Sequence, residues 1–142
     1  MNVTDILTTK GSDVVTIAPT ATVTELVTAL AERKIGAVVV SSDGAAVSGI
    51  VSERDVARGL HEHGANLLSM PVSALMTTDV STCDPHDDIP SVARIMTNRR
   101  FRHLPVVVGG TLVGIVSIGD VVKKRIDQLE TETDQLREYL TS

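Results

Sequence analysis

Aromatic residues are almost missing from this chain. Among 142 residues there is one Phe, one Tyr and no Trp, so the stacking platforms that usually hold single-stranded nucleic acid cannot be built. Basic charge is also scarce: 13 Lys and Arg against 18 Asp and Glu leave a net charge of -5, which argues against a nucleic-acid footprint. The single cysteine, Cys83, excludes an internal disulfide and every multi-cysteine zinc motif, and reads as a small buried apolar residue. No apolar run reaches the roughly 18 residues of a membrane helix, and no basic stretch followed by an apolar run marks a signal peptide at the start. A cytoplasmic protein with neither membrane nor nucleic acid as partner is expected. No P-loop, Rossmann glycine fingerprint or nucleophile-elbow turn is present, and no paired carboxylates, metal cluster or nucleophile–base pair fall at a telling spacing, so no enzyme is expected.

What the chain does have is a duplication. Gly49-Ile50-Val51-Ser52-Glu53-Arg54-Asp55-Val56 returns as Gly114-Ile115-Val116-Ser117-Ile118-Gly119-Asp120-Val121. Pro19 matches Pro85, the apolar set Val23, Leu26, Val27, Leu30 matches Ile89, Val92, Ala93, Met96, and residues 3–9 match residues 72–78. Such self-similarity marks two copies of one supersecondary unit. A unit of roughly 60 residues is marginal alone, so the copies are expected to pack together. The boundaries read as 1–64 for the first copy, 65–71 for a linker, 72–126 for the second copy, and 127–142 for the rest of a final helix.

Within the first copy, Thr22-Val23-Thr24-Glu25 reads as a capping box. The spacing 23, 26, 27, 30 lays an apolar stripe along a helix to about Lys34, with Gly36 as its stop signal. Residues 37–41 and 47–52 are β-branched runs around a turn at residues 42–44, and a second helix runs from about Arg54 to His63. In the second copy Asp87 or Asp88 opens a helix with Pro90 in its first turn, and residues 104–108 and 111–117 flank Gly109-Gly110, a hairpin signal. An extended segment near residues 14–17 or 80–83 opens each copy. The fold class is therefore α/β (α+β), two pseudo-symmetric β-α-β-β-α units packed as one module with an extended C-terminal helix.

The Ser-x-x-Asp of each copy falls where a strand turns into a helix. A helix N-terminus offers free N–H groups and a partial positive charge, which suits phosphate. The Ser hydroxyl can donate to a phosphate oxygen, and the Asp carboxylate can accept from the two hydroxyls of a ribose. Helix capping is the competing reading of the same residues, and the two roles can coexist. Other polar residues carry less: His61 and His63 fall on different faces of a helix, Asp84, His86, Asp87 and Asp88 suit turn and cap roles, and Lys10 and Lys34 read as solvated surface, with supply of charge beside Asp120 as the alternative.

With the paired Gly-hydrophobic-hydrophobic-Ser-x-x-Asp motifs, the Arg102-His103-Leu104-Pro105-Val106 strand and the Leu75-Met76-Thr77 opening of copy two, the chain resembles a tandem pair of CBS domains, the cystathionine-β-synthase-type regulatory module, over essentially its whole length. The resemblance implies a non-catalytic sensor that binds adenosine nucleotides in clefts between the copies. AMP is the first expectation, with ADP, ATP and NAD(H) as alternatives, and an unidentified effector protein reads out the change. Carried over by residue, one cleft would use Ile50, Ser52, Arg54 and Asp55 with Thr82, Arg102, His103 and Pro105. The other would use Ile115, Ser117 and Asp120 with Thr16, Gly36 and Ala37. Arg54 and Arg102 have Gly119 and Gly36 as their counterparts, so the Asp55 cleft is expected to hold the phosphorylated end.

The last helix outlasts its counterpart. Val122, Ile126, Leu129, Thr133, Leu136 and Leu140 form a heptad seam flanked by charges. This reads as a homodimer contact, which leaves a structural dimerisation module with degenerate pockets as the other functional alternative.

Overall fold

The structure, a computed structural model, describes residues 1–141. It is a mixed α/β fold of five α-helices and two small sheets. In the first half, α1 (Val3–Lys10) is followed by β1 (Thr16–Ile17), α2 (Val23–Arg33), β2 (Ala37–Val40), β3 (Gly49–Ser52) and α3 (Glu53–His63). The second half contains α4 (Ile89–Arg99), β4 (His103–Val108), β5 (Thr111–Ser117) and α5 (Ile118–Thr141). β2 pairs antiparallel with β3 and parallel with β1, while β4 and β5 form an antiparallel hairpin.

The helices start where side chains can satisfy their free N–H groups. The Thr22 hydroxyl accepts from the Glu25 amide at 3.2 Å, and the Asp88 carboxylate, rather than that of Asp87, accepts from the Ser91 amide at 3.3 Å. Val23, Leu26 and Leu30 of the predicted stripe are buried, while Val27 lies on the exposed edge of α2. The first helix ends where expected, but on a different residue. α2 stops at Lys34 and α4 at the matching Arg100, both with left-handed backbone (φ +54° and +57°), so Gly36 is not the stop. Gly109 and Gly110 do make the hairpin turn, with φ of +57° and +81°.

The opening strand of the second copy shrinks to a single parallel bridge from Cys83 to Val106. It occupies the position that β1 takes beside β2. The stretch between the copies is not a loose linker: residues 64–69 form a 3-10 helix whose Leu67 is fully buried.

The two cores exchange their opening segments. Val3 and Ile6 of α1 are buried with Ile89, Val92, Leu104 and Val116 of the second half. Val72, from the start of the second copy, is buried with Leu26, Val38 and Val51 of the first. Backbone bonds repeat the crossing on both sides: the amides of Val3 and Thr4 donate to the carbonyls of Asp87 and Pro85, and those of Val72 and Ser73 to Ala21 and Pro19. The second crossing continues along β3, where Ile50 and Thr77 exchange two backbone hydrogen bonds. Fully burying each such apolar anchor is worth about 1.5–3 kcal/mol.

The repeated glycine of the Gly-hydrophobic-hydrophobic-Ser motif is where these segments pass. A Cβ on Gly49 would lie 2.8 Å from both Met76 Sδ and the Thr77 carbonyl oxygen. On Gly114 it would lie 2.8 Å from a terminal methyl of Leu7. A backbone carbonyl held in a bridge cannot retreat, whereas a leucine tip can rotate. Gly49→Ala is therefore expected to destabilise by about 1–3 kcal/mol and Gly114→Ala by less, as read from urea midpoints; equal costs would contradict this account.

Candidate functional site

Beside β3 lies a cleft of about 350 Å³ whose lining comes from both halves. The first half supplies Gly36 and Ala37 at the start of β2, Ile50 and Ser52 of β3, and Glu53, Arg54, Asp55 and Arg58 of α3. The second supplies Thr77 and the run Arg100-Phe101-Arg102-His103 that leads into β4. Four guanidinium-bearing side chains thus meet two carboxylates in one depression, together with the chain's sole Phe. The N-terminal turn of α3 adds its partial positive charge.

Asp55 is set by the strand-to-helix turn. Its Oδ2 accepts from the Ser52 amide at 2.8 Å and from the Ser52 hydroxyl at 3.1 Å. Its Oδ1 stands 4.0 Å from Arg58, an exposed side chain one turn further along α3. The serine hydroxyl is thus committed to the carboxylate, and the capping role is realised. Asp55 still presents Oδ1 toward the cleft's basic side.

The pseudo-equivalent Asp120 is closed off instead. Its Oδ2 accepts from the Ser117 amide at 2.9 Å and from Lys10 Nζ at 2.7 Å, and Lys10 also donates to the Ile115 carbonyl at 3.1 Å. Lys10 is therefore no free surface lysine: α1, having crossed to the second half, carries it onto the second motif. Burial pushes the Asp120 carboxyl up, but the Lys10 ammonium and the Ser117 bonds outweigh it and hold the group below its ordinary 3.8. His103, between the two motifs, is shifted down from its ordinary 6.5, mainly by burial and then by Lys10, against the opposing pull of Asp120 and Glu53. Burial, with help from Asp87 and Asp84, pushes the Cys83 thiol up to about 12, leaving it protonated and inert at neutral pH.

These positions redistribute the residues expected from the repeat. Ile50, Ser52, Arg54, Asp55, Arg102 and His103 come together as one group. Thr82 and Pro105, expected beside them, do not line the cleft. Gly36 and Ala37, expected opposite Asp120, line the Asp55 cleft instead, because the start of β2 packs against His103: a Cβ on Gly36 would lie 3.5 Å from its ring. Thr16, Ile115, Ser117 and Asp120 lie outside it. Glu53, Arg58, Thr77, Arg100 and Phe101 were not anticipated. A signal existed for Arg58, one helical turn after Arg54, and for the basic run before Arg102. Thr77 stands out in the sequence only as part of the Leu75-Met76-Thr77 opening, not as a site residue, and reaches the cleft through the segment exchange. The Asp84 to Asp88 cluster serves turns: Asp84 accepts from the His86 amide and Asp87 from the Asp84 amide.

The Lys10 contact makes a measurable prediction. Lys10→Met keeps the apolar stem and removes the ammonium, and should cost about 1 kcal/mol at neutral pH, as expected for a partly exposed charge-assisted pair. Because Asp120 titrates lower folded than unfolded, the pair's contribution is fully present above pH 3.8 and is lost as pH falls through the folded value. Wild type and variant should therefore converge in urea stability under strong acid; a constant gap would show that the charge pair is not what Lys10 contributes.

A family model described as the CBS domain matches twice, over residues 3–62 and 72–127. The crystal structure of a CBS-domain containing protein from Agrobacterium tumefaciens is 45% identical and superposes with a TM-score of 0.84, covering 88% of this chain and 99% of that one. The mitochondrial CBS domain-containing protein CBSX3 of Arabidopsis thaliana is 32% identical over 123 residues, 84% of this chain but 60% of the relative's own length. The crystal structure of CBSX2 in complex with AMP is 26% identical, with a TM-score of 0.73 over 89% of this chain and 96% of that one. No described helix is long and apolar enough to cross a membrane.

Proposed function

The chain belongs to the CBS-domain family, and from that premise we propose that it is a regulatory module binding an adenine nucleotide, AMP foremost, in the Asp55 cleft. The observation that carries this reading is the convergence of Arg54, Arg58, Arg100 and Arg102 on one cleft with Asp55 at the start of α3. Guanidinium groups bind phosphate bidentately and keep their charge at any physiological pH. Asp55 then takes the ribose hydroxyls, and Ile50, Ala37 and Phe101 supply apolar surface for the base. The AMP in the CBSX2 crystal structure supports the choice of ligand class. In this reading the module is a cytoplasmic homodimer, and binding changes the relation between its halves for an effector protein to detect. With Lys10 already on Asp120, one nucleotide binds per chain.

Calorimetry with AMP, ADP, ATP and NADH tests the proposal. The expected result is saturable heat with AMP at one site per chain, and no heat with any of the four would overturn it. Asp55→Ala should weaken AMP by tens-fold, a loss of about 1.5–3 kcal/mol. The same comparison with 2′-deoxy-AMP checks the ribose role: equal affinity for the two ligands would remove Asp55 from it.

A further inference from the structure

The C-terminal helix leaves an apolar seam open along most of its length. α5 is anchored at its base: Val121 is 1% exposed, and Lys124 Nζ donates to the Thr9 hydroxyl of α1 at 2.8 Å. The seam lies on another face. Val122, Ile126, Leu129, Leu136 and Leu140 are between 46% and 72% exposed, and residues 129–141 are exposed throughout. The helix therefore does not lie on its own body, and its heptad spacing has no partner within the chain. A seam of under three heptads is marginal for a free peptide. Here the folded body already holds the first turns, so the helix need not nucleate on its own.

We infer that this seam pairs with the α5 of a second copy of the chain, parallel and in register. The charges beside the seam decide the orientation. With Ile126 and Thr133 at a and Leu129 and Leu136 at d, Arg125 and Glu132 occupy g while Glu130 and Arg137 occupy e. In a parallel pair, g residues face e residues of the neighbouring helix. Arg125 then meets the partner subunit's Glu130, and Glu132 meets the partner subunit's Arg137. Both contacts join opposite charges, and the twofold axis repeats each. An antiparallel pair with the same apolar layers faces e with e and g with g. It sets Glu130 against the partner subunit's Glu130, and Glu132 against the partner subunit's Glu132. The acidic middle of the helix thus favours one orientation and opposes the other. Glu130, Glu132 and Arg137 are in no ion pair among the described residues, so these charges are available. Both bodies then lie at the same end of the pair.

Charge exchange on the full-length protein, read by sedimentation equilibrium, tests the inference. Glu132→Lys faces the partner subunit's Arg137, and Arg137→Glu faces the partner subunit's Glu132, so each variant alone should raise the dimer dissociation constant by at least about tenfold. Mixing the two variants should restore a dimer of wild-type strength, because each new charge then meets its opposite. Thr133→Cys should form an intersubunit disulfide on oxidation, since an a position meets its own copy only in a parallel, in-register pair, and Cys83 is buried. A monomeric wild type, undiminished dimers of either single variant, a mixture no tighter than its components, or a dimer that Thr133→Cys cannot cross-link would each overturn the inference.

Discussion

Two chain crossings hold this molecule together, one at Gly49 and one at Gly114, and the rest of the structure depends on both. Each opening segment leaves its own repeat and completes the core of the other, so neither half buries a full core without its neighbour's contribution. A half of this size buries too little surface to be comfortable alone, and the exchange turns two marginal units into one body. The crossing at Gly49 brings a backbone carbonyl close and that at Gly114 a leucine side chain, and both are met at matching positions by a residue without a side chain. The repeated glycine is thus a packing requirement, placed three residues before the serine of each motif by the geometry of the strand that carries both.

The same exchange breaks the symmetry of the site. On the first half the arriving segment is a brief 3-10 turn, Val72–Ala74, followed by the bridge between Ile50 and Thr77. That ends the segment at the cleft's edge and leaves the Asp55 motif open. On the second half the arriving segment is a capped helix, Val3–Lys10, which sets its last residue on Asp120. One motif faces four arginines and the other is neutralised by a lysine. A short difference in local structure, helix against turn, has decided which of two nearly identical sequences is available to a charged ligand.

Much of this was legible beforehand. The duplication, helix starts at Thr22 and at Asp87 or Asp88, the Gly109-Gly110 hairpin and the strand-to-helix setting of both Ser-x-x-Asp motifs follow from periodicity, caps and turn chemistry, which act over a few residues. The basic bias of the Asp55 side came from the family resemblance that put Arg54 and Arg102 in one cleft. The residues that escaped notice or were ranked wrongly depend on distant neighbours. Lys10 read first as surface, with charge for Asp120 as the alternative, because the two lie 110 residues apart and only the crossing of α1 joins them. Lys34 ended the first helix in place of the expected Gly36, and Arg100 matched it in the second copy, each accepting left-handed backbone at a cost of about 1–2 kcal/mol. The opening strand of the second copy, expected from symmetry, was reduced to Cys83 alone.

By itself the sequence determined the two-copy architecture, the order of its elements and the chemistry of each motif, since these rest on patterns that every short stretch of chain carries within it. Tertiary structure decided the grouping. It drew Gly36 and Ala37 to the Asp55 side, brought Thr77 and Arg100 to meet them, and spent Lys10 on Asp120. Which residues share a cleft depends on how two cores trade segments, and that trade is settled by burial and close packing summed over the whole chain, not by any stretch of it.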